Sequence, residues 1–269
     1  MTDAADTRDG AGSGRSARTV LTLIGIGLFA GFLSGLFGVG GGIVIVPALV
    51  LLAGYNQRLA AGTSLAAIVP TATVGVISYA TSGAVLWLPA LVLAAAAVVG
   101  AQIGTSLAPR IPQRILQWGF VVFLVAVIVS LFLVIPSRDG VFEITVVSGI
   151  GLVVLGMITG TLSGLLGVGG GIIVVPMLVL LFGVSDLAAK GTSLLMMIPT
   201  ALSGTVGNLR NKNVDIVAAL LIGGAACTTT ALGAWLSKSI DPMTGNIVFA
   251  VFLLAVGARM ALQALRNRY

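Results

Sequence analysis

Residues 31–50 read GFLSGLFGVGGGIVIVPALV and residues 160–179 read GTLSGLLGVGGGIIVVPMLV, with five differences over twenty positions. An offset of 129 residues relates the two. The same offset carries Gly62-Thr63-Ser64 onto Gly191-Thr192-Ser193, Pro70-Thr71 onto Pro199-Thr200 and Gly104 onto Gly233, with no gap. The chain is a duplication: a unit over residues 19–138 and a second over 139–269, behind a polar, Gly/Ser-rich segment at residues 1–18 whose composition predicts a disordered tail.

The glycine run interrupts an apolar stretch. From Thr19 to Gly54 the chain is apolar for 36 residues, about 54 Å as one straight helix, against a hydrocarbon core of roughly 30 Å. Each interior glycine costs a helix about 1 kcal/mol relative to alanine, so Gly38-Val39-Gly40-Gly41-Gly42 divides the stretch. Helical segments are predicted at 19–37, 43–53, 59–82, 85–108 and 113–135, and in the second unit at 142–166, 172–182, 187–209, 214–237 and 243–265. The second segment of each unit is too short to cross alone, so it either completes a hairpin or re-enters, which gives eight to ten spans.

Composition sets the class. The chain is 58% hydrophobic and 8% charged, with a mean hydropathy of +1.15, whereas soluble domains carry about a quarter charged residues. The apolar runs lack the two-residue alternation of barrel strands. An all-α polytopic membrane protein is predicted. The net charge of +6 comes from loop and tail residues that signal topology, so a nucleic-acid partner is disfavoured. Cys227 is the single cysteine and there is no histidine, which removes a cysteine-built metal site, the commonest metal ligand and the commonest general base. No metal, cofactor or enzymatic chemistry is expected; the expected partners are the bilayer and a small solute, and association of like chains stays open.

Basic residues arbitrate the topology. If the first two segments of each unit form a hairpin, Arg8, Arg15, Arg18, Arg58, Arg110, Arg114, Arg210, Lys212, Arg266 and Arg268 share one side and Arg138, Lys190 and Lys238 the other, ten against three. Broken single crossings give eight against five. The positive-inside rule favours the hairpin, with both termini cytoplasmic in a cell-membrane protein. Each unit then holds an odd number of segments, so the two insert with opposite orientation, the arrangement on which alternating access is built.

Candidate binding residues follow from the chemistry of an anion in a membrane. The runs Gly38 to Gly42 and Gly167 to Gly171 each open a short helix, whose free N–H groups and positive dipole end can hold negative charge without a cationic side chain. Ser34 and Ser163 lie within the repeated motif just ahead of them. Gly27, Gly31, Gly35, Gly160 and Gly164, spaced by four, read instead as a helix-packing ridge. In the third segment Ser64, Thr71, Gly75 and Ser78 share a face, as do Ser193, Thr200, Gly204 and Gly207. With Thr63 and Thr192, these hydroxyls either line a pathway or bond their own helices. Pro70 and Pro199 break the ladder beside them. Asn208 and Arg210 read as a basic anchor or as a cytoplasmic mouth that gathers anions, and Gln102 as an interhelical bond. Asp139, Glu143, Asp186, Asp215 and Asp241 fall in loops or at helix ends, which disfavours a cation pump.

The paired GLFGVGGGIVIVPALV and GLLGVGGGIIVVPMLV, each followed by GTSL and a Pro-Thr, resemble the TauE/SafE family of sulfite and organosulfonate exporters. The resemblance covers residues 19–265. It implies a membrane transporter of sulfur-containing or related organic anions, with export the expected direction. The residues from Gly40 to Gly42 and from Gly169 to Gly171, with Thr63, Ser64, Thr71, Thr192, Ser193 and Thr200, are the expected binding set. The alternative is a passive anion channel or a non-transporting membrane subunit.

Overall fold

The computed structural model describes residues 16–133 and 145–266. Ten helices account for most of them: α1 (Ala17–Phe37), α2 (Gly42–Leu52), α3 (Gln57–Ala80), α4 (Trp87–Leu107), α5 (Gln113–Leu133), α6 (Val146–Leu166), α7 (Gly171–Phe182), α8 (Asp186–Arg210), α9 (Ile216–Ser239) and α10 (Pro242–Arg266). One 3-10 turn, Ala108–Arg110, follows α4, and no strand occurs among the described residues. Most of the polar tail, the boundary between the units, Arg138, Asp139, Glu143 and the expected helix ends at 135 and 142 lie outside the described residues.

The helix limits have local causes. Asn56, Ser185 and Asp215 cap α3, α8 and α9 by accepting from the backbone N–H of Leu59, Ala188 and Ala218, which satisfies donors that a helix start leaves open. Thr145 and Ser148 close a reciprocal cap on α6. At the other end, α1 and α6 stop on Gly38 and Gly167, whose φ values of 69° and 76° are left-handed. Only glycine takes that conformation without a Cβ penalty.

Among the described residues seven helices are long and apolar enough to cross a membrane, and α2 and α7 are apolar but short. The remaining helix, α8, has 25 residues and falls below the hydropathy of the seven. The reason is positional. It carries buried Thr192, Ser193, Thr200 and Asn208 and packs on α3, α4, α6 and α7, so it faces protein on most sides and need not be apolar all round. The lipid-facing character goes to side chains such as Leu21, Phe29, Leu91, Val122, Ile150, Leu220 and Val251, all exposed.

Two glycine seams hold the bundle. A Cβ on Gly31 would stand 2.2 Å from Ala226 O, and one on Gly160 would stand 2.2 Å from Ala97 O. Backbone touches backbone at both places, so small residues replace the hydrophobic drive that helices lack in lipid. Along the first seam Gly27, Gly31 and Gly35 meet Ile222, Ala226 and Thr230, so α1 and α9 run parallel; along the second Gly156, Gly160 and Gly164 meet Leu93, Ala97 and Ala101, so α4 and α6 do too. Between the seams α3 and α8 are antiparallel: Gly62 lies by Asn213, Gly204 by Leu65, Gly75 by Leu194 and Gly191 by Ala84. Every one of these contacts recurs in the other half at the 129-residue offset.

Basic residues gather at one end. Arg58 donates to Pro109 O and Ile111 O, Asn211 to Thr105 O, and Tyr55 to Asp215, which brings the α2–α3, α4–α5 and α8–α9 connections together. Lys190, counted in the sequence among the charges of one membrane side, lies inside α8 one turn from its start and is buried.

Candidate functional site

The two glycine runs meet at the centre. A Cβ on Gly42 would lie 2.8 Å from Val168 Cα, and one on Gly171 would lie 3.0 Å from Gly38 O. Gly40, Gly41, Gly169 and Gly170 have φ between 74° and 85°, which turns the chain sharply from the end of one helix into the start of the next. The first bonds of α2 and α7 are made by Val44 and Ile173, to Gly41 O and Gly170 O. Among the described residues, none accepts a backbone bond from the N–H groups of Gly40, Gly41, Gly42, Ile43 and their counterparts Gly169, Gly170, Gly171 and Ile172. Two helix N-termini therefore present unpaired donors at the middle of the protein, the condition for holding an anion.

Ile68 and Met197, equivalent residues of α3 and α8, cover the runs. Ile68 Cδ1 is within 3.0 Å of a Cβ placed on Gly42 or Gly169, and Met197 reaches Gly40 and Gly171. Both are fully buried, so this is a closed arrangement.

The predicted hydroxyls divide by what they do with their single O–H. Ser64 donates to Gly167 O at 2.8 Å and Ser193 to Gly38 O at 3.2 Å; each half thereby anchors the other's glycine run. Thr71 and Thr200 donate to Ala67 O and Met196 O of their own helices, beside the breaks that Pro70 and Pro199 leave. Thr63 and Thr192 instead accept, from the N–H of Asp215 and Leu86, and keep a proton to give. Gly-Thr-Ser is thus a clamp. Gly62 and Gly191 admit the backbone at Asn213 and Ala84, where a Cβ would stand 2.0 Å from a carbonyl oxygen; threonine holds the start of a helix in the opposite half, α9 for Thr63 and α4 for Thr192, and serine the opposite glycine run.

Ser34 and Ser163 are different. Both are buried, and neither hydroxyl has a hydrogen-bond partner among the described residues. Ala30 O lies 3.0 Å from a Cβ placed on Gly41, and Thr159 O 3.2 Å from one on Gly170. The faces of α1 and α6 turned to the runs are therefore those that carry Ala30 and Thr159 and, four residues on, Ser34 and Ser163. An unsatisfied buried hydroxyl costs about 1–3 kcal/mol, and here the cost recurs at equivalent positions in both halves.

Other candidates sit apart. Asn208 is buried and donates to Gly204 O, while Arg210 is exposed at the end of α8. Gln102 bridges to Ser203, donating to its carbonyl and hydroxyl at 2.7 and 2.8 Å. Sequence reasoning missed two polar sites. Gln57 is fully buried and neither amide atom has a partner, and Lys190 is paired with Asp186 at 2.8 Å. The offset that aligns the glycine runs also aligns Gln57 with Asp186, and would have pointed to both.

A helical bundle with apolar exposed faces and paired half-length helices meeting inside it is a multi-pass membrane protein, of a class that includes transporters. The family model described as "Sulfite exporter TauE/SafE" matches residues 4–131 and 152–269, and the chain belongs to that family. The chain is 36% identical over 120 residues to the "Probable membrane transporter protein YunE" of Bacillus subtilis (strain 168), which is 42% of this chain and 44% of that protein. It is 27% identical to the "Probable membrane transporter protein YdhB" of the same organism, over 87% of this chain and 94% of that one. The "Probable membrane transporter protein MJ0441" of Methanocaldococcus jannaschii is 26% identical over 89% of this chain and 94% of that one. No solved structure is significantly similar to the chain. Relatives named as membrane transporters point away from an enzyme.

Proposed function

We propose that the protein is a secondary transporter that moves a small sulfur-containing or organic anion, such as sulfite or a sulfonate, out of the cell by alternating access. The observation that carries this reading is the meeting of two helix N-termini, with unpaired N–H groups and two unpartnered hydroxyls, Ser34 and Ser163, on the helix faces turned towards them. An oxyanion stripped of water loses many kcal/mol and needs several donors at once. Gly40 to Gly42 and Gly169 to Gly171 supply N–H groups, Ser34, Ser163, Thr63 and Thr192 supply O–H groups, and Ser64, Ser193, Thr71 and Thr200 hold the frame.

The antiparallel α3 and α8 and the parallel seams support two inverted units, since only opposite insertion makes equivalent helices antiparallel. Opening then requires Ile68 to move from the runs on one side, or Met197 on the other. The concentration of arginines at the end holding Arg18, Arg58 and Arg110 supports a cytoplasmic location for that end and for both termini in the cell membrane.

The test is counterflow of sulfite, thiosulfate, sulfoacetate, taurine and simple carboxylates in proteoliposomes. Saturable exchange of at least one sulfur oxyanion is expected, and its loss in the Gly41→Leu, Gly170→Leu double variant. Conductive flux without saturation would indicate a channel, no flux of any anion a non-transporting subunit, and full transport by the folded double variant would remove the site assignment.

A further inference from the structure

Among the described residues Lys190 and Asp186 are the only charged side chains that are buried. Lys190 Nζ lies 2.8 Å from Asp186 Oδ2 and 3.0 Å from Ser237 Oγ. The Tyr79 hydroxyl donates to Gly35 O and lies beside Ser237 and Asp186. Helices α1, α3, α8 and α9 thus converge on one polar cluster at the start of α8. In the other half, Gln57, Ala61, Ala108 and Asn208 stand at the four equivalent positions.

Fold stability does not account for the pair. Taking two charges out of water costs about as much as, or more than, their attraction returns, and the first half builds the same helix junction with alanines at the positions of Lys190 and Ser237. Location does suggest a role. The Lys190 Cα and Cβ pack on Gly38, within 2.7 Å of where a Cβ would stand, and Ser193, three residues on, anchors Gly38 O. Lys190 is therefore next to the glycine run and its ammonium is directed towards the end of the protein where α8 begins.

We propose that Lys190 is a second anion-binding station, through which the substrate passes between the glycine runs and the α8-start end of the protein, and that Asp186 is a built-in anion that fills the station when substrate is absent. The proposal rests on the transport reading and deepens it. An oxyanion arriving from the runs replaces one carboxylate oxygen at Nζ by another anionic oxygen, so the ammonium is never left unpaired in a dry site. The swap frees Asp186 and loosens the cluster that joins α8 to α9. The ligand class is a small anion with at least one charged oxygen, and the first half, with Gln57 and Ala61, has no equivalent station.

The test uses the full chain in detergent, with sulfite as the probe and the melting temperature as the readout. Asp186→Asn removes the competitor, so sulfite should stabilise it with a half-saturating concentration about tenfold below that of the wild type. Adding Lys190→Gln should abolish that gain. Equal responses from the wild type and both variants would overturn the station. Because Asp186→Asn leaves an unpaired ammonium and can fail to fold, the uncharged double variant is also assayed by counterflow. A KM raised about tenfold with folded protein supports the proposal, and an unchanged KM overturns it. A wild type that exchanges no anion would end the transport reading, while the melting comparison would still decide the station.

Discussion

Replacing both Ser34 and Ser163 by alanine should move stability and function in opposite directions. Each hydroxyl is buried without a partner, so the closed protein carries an unmet desolvation cost of about 1–3 kcal/mol per site. Alanine removes the oxygen and leaves a gap of one atom. A net gain of about 1 kcal/mol per site is expected, and the sites lie in different halves and should add. A chain of this size gains about 2–4 °C per kcal/mol, so the double variant should melt about 4–8 °C above the wild type. The substrate loses two hydrogen bonds to a charged group, each worth about 1.5–3 kcal/mol, or a factor of roughly ten to a hundred and fifty per site. Fluorescence-monitored melting in detergent reads the first effect, and the concentration dependence of counterflow reads the second. A lower melting temperature with an unchanged KM would show that the hydroxyls belong to the packing, and would remove them from the site.

Three further outcomes follow from the geometry. Gly31→Ala should lower the melting temperature by an amount equivalent to about 1–3 kcal/mol, because its Cβ would stand 2.2 Å from Ala226 O; Gly25→Ala, with nothing within 4 Å, should be neutral or raise it, and equal effects would refute the seam. Gln57→Leu should stabilise the protein by about 1–3 kcal/mol by removing two unpaired amide atoms, measured by the same melt; a loss would mean the amide has a partner. Met197→Ala should cost about 2–5 kcal/mol and open the closed runs, so that proteoliposomes release preloaded sulfite without external substrate; tight vesicles would show that Met197 does not seal the path.

Most helices were legible because a membrane makes their signals strong: long apolar runs, and glycines at their breaks. The duplication helped further, since each boundary could be read twice. The site was legible only in part. Periodicity placed Ser64, Thr71, Ser193 and Thr200 on one face, but whether a hydroxyl donates outward or back to Ala67 and Met196 depends on a rotamer, which spacing does not encode. Lys190 was counted only as a topology charge, because a cation in the first turn of a helix, just after the join at Gly183, Val184 and Ser185, resembles a surface anchor. Its burial follows from Asp186 four residues earlier and Ser237 on another helix, and the second is a long-range contact that no local pattern reveals.

The duplication also explains which features are shared and which are not. The clamp of Gly-Thr-Ser, the glycine seams and the runs occur twice because each half builds its partner: Ser64 anchors the second run and Ser193 the first, so damage to one copy disturbs the other. The polar groups at the two ends are under no such constraint. One end carries Asp186, Lys190 and Ser237 in a bonded cluster with Tyr79 close by on Gly35 O, and the other has Gln57 buried without a partner among the described residues. In the proposed cycle, opening the first end would require an ion pair to be exchanged or broken, whereas opening the second would give Gln57 access to water and relieve its desolvation. The two ends therefore open at different cost. Under the proposed alternating access, the arrangement opened at the Gln57 end would be the one favoured in the absence of substrate, and under the proposed topology that end is the cytoplasmic one.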